Sequence, residues 1–185
     1  VTRWYRAPEL LVENEQYNEA IDMWSVGCIL AEFLGRKALF PGRDYLQQLR
    51  LIIDVLGTPT ASDLAIIQNE QAVEYLKSLP KKEKASFKKM FPNSNPLAVE
   101  LLEKMLVFDP SKRVSAAEAL AHPYMEALHN VNDEPVAEPF DFDFEKAGVG
   151  ELDLKRMIWQ QLAHHHPEVG EPPEEWLAQP STSSR

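Results

Sequence analysis

Asp22 is the residue whose chemistry follows most directly from its surroundings, because it is a carboxylate in a strongly apolar segment. Residues 20–34, with the sequence AIDMWSVGCILAEFL, are apolar on nearly every face, which is typical of a helix buried in a core. A carboxylate in such a helix must find hydrogen-bond donors or give up its charge. Trp24 and Cys28 in the same segment are most simply interpreted as core residues.

Three consecutive histidines could suggest a metal site toward the end of the chain. His164, His165 and His166 follow one another directly, and consecutive residues of a helix point in divergent directions. A structural zinc site needs about four ligands, and no cysteine or other fourth ligand stands nearby in the sequence. We therefore expect no metal site in this chain.

The acidic residues are concentrated toward the carboxyl end of the 185-residue chain, whose formal net charge is −10. Residues 1–129 carry 17 acidic and 15 basic side chains, whereas residues 130–176 carry 12 acidic and 3 basic ones. This distribution argues against a nucleic-acid partner and allows attraction of a basic partner. The alternative is that the acidic residues form a solvated tail.

Cys28 is the single cysteine, which excludes an intrachain disulfide and is typical of a reducing compartment. Charged residues interrupt every apolar stretch before the roughly 20 residues that a membrane-spanning helix needs. We therefore expect no membrane-spanning segment. The sequence also contains no visible targeting segment.

The elements that position these residues are predicted to be helices, because no alternating run predicts a sheet. Asp44 and Gly57 are predicted to begin and end one helix. Further helix starts are predicted by TASD at residues 60–63, by Asn95 before Pro96, and by Ser115 with Glu118. A last amphipathic helix covers residues 151–163, and residues 168–185 are predicted to form a disordered tail. The predicted fold class is mainly α.

Five motifs in a fixed order make the chain similar to a known family. RWYRAPE, DMWSVGCILAEFL, LFPG, LGTP and DPSKRVSAAEALAHPY together resemble the carboxy-terminal lobe of a eukaryotic protein kinase. APE closes the kinase activation segment, and WYRAPE is typical of the proline-directed group of cyclin-dependent and mitogen-activated protein (MAP) kinases. An insert at about residues 58–95 resembles a MAP kinase specifically, as does NDEPVAEPFDFDFE with the helix after it.

The resemblance implies how the chain is divided. Residues 1–128 would belong to the kinase domain, comprising the end of the activation segment, the helices of the carboxy-terminal lobe and the insert. Residues 129–167 would be the MAP kinase extension with its docking segment. The amino-terminal lobe and the catalytic loop are not among these 185 residues.

The resemblance also implies a function for a full-length kinase. It would transfer a phosphoryl group from Mg–ATP to Ser or Thr followed by Pro, in a signalling cascade in the cytoplasm and nucleus. This chemistry needs a Gly-rich loop, a strand lysine, a catalytic aspartate with its asparagine, and the aspartate of D-F-G. None of these motifs is in the sequence, so we expect this polypeptide by itself neither to bind ATP and Mg tightly nor to transfer phosphate.

Residues at the start of the chain resemble substrate-side residues of the family. Thr2 resembles the threonine whose hydroxyl meets the catalytic aspartate and lysine. Arg6 resembles the arginine that holds a backbone carbonyl in the pocket for the next substrate residue, where proline is preferred because it has no N–H. Arg3 and Arg6 also resemble the pair that binds the phosphotyrosine of the activated loop. The alternative is two surface arginines lying over Trp4 and Tyr5.

Three further residues resemble structural positions of the kinase lobe. Glu9 and Arg113, 104 positions apart, resemble the buried ion pair that ties the activation segment to the lower helices. The alternative is that each is exposed. Asp22 resembles the aspartate that anchors the backbone of the catalytic loop.

Asp133 and Glu134 resemble the common docking site of MAP kinases. There, acidic side chains receive the basic docking peptides of upstream MAP kinase kinases, phosphatases and protein substrates. Exposed charge pairs are individually weak, so several must act together. Asn130 departs from the family pattern, because many members have another aspartate at this position. A solvated acidic turn is the alternative.

Tyr45, Leu46, Leu49 and Tyr75 match positions that form a second docking pocket, which accepts aromatic residues, in some MAP kinases. The same apolar stripe is what any amphipathic helix buries, and core packing is the preferred interpretation.

Two other functions are compatible with the sequence. The chain could be a docking or decoy module that lacks catalysis, or it could be related to the cyclin-dependent kinases. The insert and the residues after Pro135 argue against the second of these.

Overall fold

The computed structural model describes residues 3–15, 17–142 and 148–177. All regular elements in these ranges are helices, which confirms the mainly α fold class. The chain forms two compact units, residues 1–130 and residues 131–185. We describe each unit by itself.

Eight α-helices lie in the described part of the first unit. They are α1 (Pro8–Leu11), α2 (Ala20–Gly35), α3 (Tyr45–Leu56), α4 (Ala61–Ala65), α5 (Glu70–Ser78), α6 (Phe87–Met90), α7 (Pro96–Met105) and α8 (Ala116–Leu120). Short 3-10 turns at Arg3–Tyr5, Pro110–Lys112 and Pro123–Met125 join them to their neighbours.

The predicted helix starts are confirmed by their hydrogen bonds. Asp44 accepts from the backbone N–H of Gln47 at 2.7 Å at the start of α3. Asn95 caps α7, with Pro96 as its first residue. Reciprocal capping boxes begin α4, at Thr60 and Asp63, and α8, at Ser115 and Glu118. In each case the side chain satisfies a backbone donor that the helix itself leaves unpaired.

Helix α2 lies against the core with one face only. Trp24, Cys28 and Ala31 are buried, and Trp24 stacks on Phe40 with 5.8 Å between the ring centroids. A second face is exposed and carries Val26, Ile29 and Phe33.

Asp22 is also exposed, so the expectation that it is a carboxylate inside a helix buried all round is wrong. Its position in the first turn of α2 lets water solvate the charge, which removes the need for buried donors.

The second unit contains α9 (Glu151–His165) and α10 (Glu174–Leu177), with 3-10 turns at Val131–Asp133 and Pro167–Val169. The disordered tail predicted for residues 168–185 includes the segment after α9, of which the structure describes residues 168–177. The Arg156 guanidinium donates to the backbone carbonyl of Trp176 at 2.7 Å, and the indole of Trp159 donates to the carbonyl of Gly170 at 3.3 Å. The Trp159 and Trp176 rings also meet edge to face. Residues 178–185 lie outside the described residues.

We predict that the Cys28 thiol is unreactive in the folded chain. Burial raises the pKa of this thiol to about 12 from an ordinary value of 9.0, and the thiolate is the reactive form. The folded chain thus keeps its proton at a pH where the unfolded chain loses it. The contribution of this thiol to the free energy of unfolding should therefore be constant below pH 9 and should fall as the pH rises from 9 toward 12.

Titration with a disulfide reagent at pH 8 checks this prediction. We expect one thiol per chain to react in denaturant and almost none without it. Rapid stoichiometric labelling of the folded chain would contradict the prediction.

Candidate functional site

The segment before α1 is held against α2 and α3 by hydrogen bonds to its backbone and its indole. Trp4 donates from its indole to the carbonyl of Gly42 at 3.0 Å. The hydroxyl of Ser25 on α2 donates to the carbonyl of Tyr5 at 2.9 Å. These contacts fix the direction in which Arg3 and Arg6 leave the backbone.

Gln48 joins this segment to the loop before α3, and the sequence-based analysis missed it. Its fully buried amide donates to the carbonyl of Trp4 at 3.2 Å and accepts from the N–H of Gly42 at 3.0 Å. A side chain at position 42 would place its Cβ 2.3 Å from the Gln48 Oε1 atom, so only glycine fits there. The sequence could have indicated this role, because Gln48 lies on the apolar stripe of α3, four residues before Ile52, and a buried amide needs hydrogen-bond partners.

Arg3 and Arg6 converge on one aromatic ring. The Arg6 Nη1 atom donates to the hydroxyl of Tyr45 at 2.8 Å. The Cζ atoms of Arg3 and Arg6 lie 5.3 Å and 5.4 Å from the centroid of the Tyr45 ring. Among the described residues, neither guanidinium forms an ion pair with a carboxylate. The pair is therefore a concentrated positive charge beside a polarisable ring.

The role expected for Arg6 in holding a backbone carbonyl is not seen in the described part of the chain, where its hydrogen bond is to Tyr45. Arg3 instead makes a contact of that kind, donating to the carbonyl of Arg43 at 2.7 Å. Thr2 lies outside the described residues.

Glu9 and Arg113 form a buried, two-point ion pair. Arg113 Nη1 and Nη2 lie 2.8 Å and 3.1 Å from the two Glu9 carboxylate oxygens. The side chains are 2% and 0% exposed for Glu9 and Arg113. Arg113 also donates to the carbonyls of Ala20 and Val107, and its guanidinium lies 5.2 Å from the Trp24 ring. The Arg113 head group thus joins α1, the start of α2 and the turn after α7.

The four residues expected at a second docking pocket line one groove of about 540 Å³. Arg6 and the end of α1 form its other side. Leu49 is 3% exposed and belongs to the core, whereas Tyr45 and Leu46 are 51% and 54% exposed. Tyr75 accepts a hydrogen bond from Arg50 Nε at 2.7 Å. Core packing thus accounts for Leu49 but not for Tyr45 or Leu46.

The acidic residues expected to dock basic peptides lie in the second unit. Asp133 ends the 3-10 turn Val131–Asp133 and is exposed, and Glu134, which follows it, is half-buried. Both side chains have interactions within the protein.

The described part of the chain contains no group of three His, Cys, Asp or Glu side chains arranged to hold a metal ion. His164 and His165 are in ring contact with each other, and His166 pairs with Glu168 at 3.0 Å. Across the described ranges, no helix is long and apolar enough to cross a membrane.

Comparison with known proteins matches residues 1–125 to the protein kinase domain family. Mitogen-activated protein kinase 13 of Arabidopsis thaliana is 53% identical over 165 residues, which are 89% of this chain and 46% of that protein. The MAP kinase homolog MMK2 of Medicago sativa is 53% identical over 91% of this chain and 46% of its own length. The MAP kinase mpkB of Aspergillus fumigatus is 53% identical over 87% of this chain and 47% of its own length. The chain spans about half the length of these curated relatives.

We predict that Glu9→Gln strongly destabilises the first unit. The substitution would leave Arg113 as a buried guanidinium without a counter-charge, which typically costs about 3–5 kcal/mol. The measurement is urea unfolding followed by tryptophan fluorescence, because Trp24 lies against Arg113.

Glu74→Gln, on the exposed surface of α5, is the matched control and should change the free energy of unfolding by less than about 0.5 kcal/mol. Equal unfolding midpoints for the two variants would show that the Glu9–Arg113 pair does not stabilise the fold.

Proposed function

Since the chain belongs to the protein kinase family and the relatives named above are MAP kinases, we propose that it is the substrate-binding and docking part of a proline-directed serine/threonine kinase. The whole protein would transfer the terminal phosphoryl group of Mg–ATP to a Ser or Thr hydroxyl. We place this reaction in signal transduction in the cytoplasm and nucleus. The motifs that hold ATP and Mg in this family are outside the 185 residues, so the chain's own contribution is recognition.

The arginine pair is the observation that carries this proposal. Arg3 and Arg6 lie over the Tyr45 ring, and neither is neutralised by a carboxylate of the described residues. A pair of guanidinium groups in this state is suited to a dianionic phosphate, which each can bind through two hydrogen bonds. The ligand in our proposal is the phosphotyrosine of the activated loop.

The substrate in our proposal carries proline after the phosphorylated Ser or Thr. Proline has no N–H, so a pocket that offers no acceptor at this position excludes other residues by leaving their N–H unpaired. Thr2 would meet the catalytic aspartate and lysine at the same place. The backbone of this segment is fixed by Ser25 and Gln48, which supports a pocket of defined shape.

Two surfaces would recruit partners. The turn with Asp133 and Glu134 would bind basic docking peptides of upstream kinases, phosphatases and substrates. The groove beside Tyr45 and Leu46 would bind aromatic residues of substrates, because it presents half-exposed apolar side chains beside a pair of cations.

A docking or decoy module without catalysis is the second candidate function. Such a module would use the acidic turn and the apolar groove, which this chain supplies without the ATP-binding motifs. The cyclin-dependent alternative is less well supported, because the three relatives named above are MAP kinases and the match of 165 residues reaches past Pro135.

We predict proline-directed kinase activity for a protein that contains this chain together with the amino-terminal half of its relatives. After activation by a MAP kinase kinase, it should phosphorylate a Ser-Pro peptide and leave the matching Ser-Ala peptide almost unmodified. The 185-residue polypeptide by itself should phosphorylate neither peptide, since it lacks the ATP-binding motifs. Equal activity on the two peptides would contradict the proposed specificity.

We predict that Asp133 and Glu134 together bind basic peptides. Replacing both residues with Lys should weaken binding of a peptide with four consecutive Lys or Arg residues by roughly two- to thirtyfold, since each exposed pair contributes about 0.2–1 kcal/mol. Isothermal titration at low salt measures this effect.

Glu138→Lys is the control, because Glu138 is an exposed acidic residue on the same stretch. An unchanged affinity of the double variant would remove the docking assignment from this turn. If the chain binds docking peptides but the longest protein that contains it has no kinase activity, the docking or decoy module would be favoured.

A further inference from the structure

Tyr45 lies where the arginine pair and the groove meet, and it contacts both arginines. We propose that Tyr45 is a positioning residue that holds the Arg3 and Arg6 guanidinium groups in the arrangement that binds a phosphate monoester. This inference rests on the proposed phosphate-binding role of the arginine pair. Tyr45 would be a further residue of that site, and it would orient both guanidinium groups before the phosphate binds.

The arginine pair needs a third group because two like charges repel each other. Both Cζ atoms lie within 5.4 Å of the same ring centroid, and no carboxylate of the described residues offsets either charge. The electron-rich face of an aromatic ring attracts a guanidinium group, and two such contacts to one ring act on both cations together. The Tyr45 ring therefore partly offsets the repulsion between the two guanidinium groups, as a carboxylate would, but it does not compete with the phosphate as a second anion.

The Tyr45 hydroxyl fixes the orientation of Arg6 as well as its position. It accepts from Nη1 at 2.8 Å, which leaves the remaining N–H groups of the guanidinium available to a phosphate oxygen. A guanidinium group has five donors, and a bidentate contact uses only two of them. The hydroxyl contact is thus compatible with phosphate binding.

The other contacts of Arg3 do not by themselves account for its position. Its Nη1 atom donates to the carbonyl of Arg43 at 2.7 Å, while its Nε atom is buried without a partner among the described residues. A buried donor without an acceptor lowers stability. A compensating contact must hold the side chain there, and the Tyr45 ring supplies one.

The exposure of Tyr45 points in the same direction. It is the first residue of α3 and is 51% exposed, unlike Leu49 one turn later, which is 3% exposed. Core packing therefore does not explain an aromatic residue at this position. Its hydroxyl accepts a hydrogen bond from Arg6, and its ring lies beside both guanidinium groups, so its contacts with the arginines account for its position.

Titration of the 185-residue chain with O-phosphotyrosine tests the proposal, with the side-chain Nε–Hε NMR signals of Arg3 and Arg6 as the readout. Tyr45→Leu removes both the ring and the hydroxyl and should weaken binding roughly five- to thirtyfold, as expected for the loss of two cation–π contacts. Tyr45→Phe keeps the ring and should stay within about threefold of the unmodified chain. A purely structural role would instead affect the melting temperature and leave the arginine signals unchanged.

Tyr17→Leu is the matched control, because Tyr17 is an exposed tyrosine that lies outside the site; it should bind O-phosphotyrosine as the unmodified chain does. If Tyr45→Leu does not fold, Tyr45→Gln replaces it, since glutamine keeps a hydrogen-bond acceptor and lacks the ring. Weaker binding by Tyr45→Gln would then support the proposal, and unchanged binding would overturn it.

The outcomes separate this inference from the proposed function beneath it. If Arg3→Ala and Arg6→Ala lose binding while Tyr45→Leu binds normally, the positioning role fails and the arginine site remains. If the unmodified chain does not bind O-phosphotyrosine, or the two arginine variants bind it unchanged, both proposals are overturned.

Discussion

The buried ion pair of Glu9 and Arg113 is the interaction on which the rest of the first unit depends. Both charges are removed from water, so each is tolerated only because the other is in place with a two-point geometry. The further bonds of Arg113 to backbone carbonyls join three segments that are far apart in sequence. Since α1 follows directly after Arg3 and Arg6, this pair also sets the position from which the arginines extend.

A second constraint operates in the segment before α1 and the loop before α3, where backbone N–H and C=O groups must find hydrogen-bond partners. The Gln48 amide pairs with one donor and one acceptor of two different loops. This contact requires glycine at position 42, because any side chain there would overlap the amide. The ring of Tyr45, three residues before Gln48 on the same helix, is thereby placed beside the arginines. Helix α3 thus serves the core with one face and the candidate site with its first turn.

Features that depend on nearby residues were predictable from the sequence, and features that depend on distant ones were not. Capping at Asp44, Asn95 and Ser115 needs only three or four consecutive residues, and each was predicted correctly. The pairing of Glu9 with Arg113 could be anticipated only through the family resemblance. The expected burial of Asp22 was wrong because the pattern of apolar residues shows which helix faces could be buried, and not which faces have a neighbouring element. Nothing local to Tyr45 indicates that it lies under two guanidinium groups.

The single cysteine has a practical consequence for experiments on this chain. Because Cys28 is buried and is the one sulfhydryl in the sequence, the folded 185-residue chain should show little background labelling with thiol-directed probes. A cysteine introduced at an exposed position of the acidic turn or at the rim of the groove would be the sole reactive handle under folding conditions. Fluorophores or spin labels could then be placed on either surface without first removing the natural residue, whose replacement would disturb the packing around Trp24.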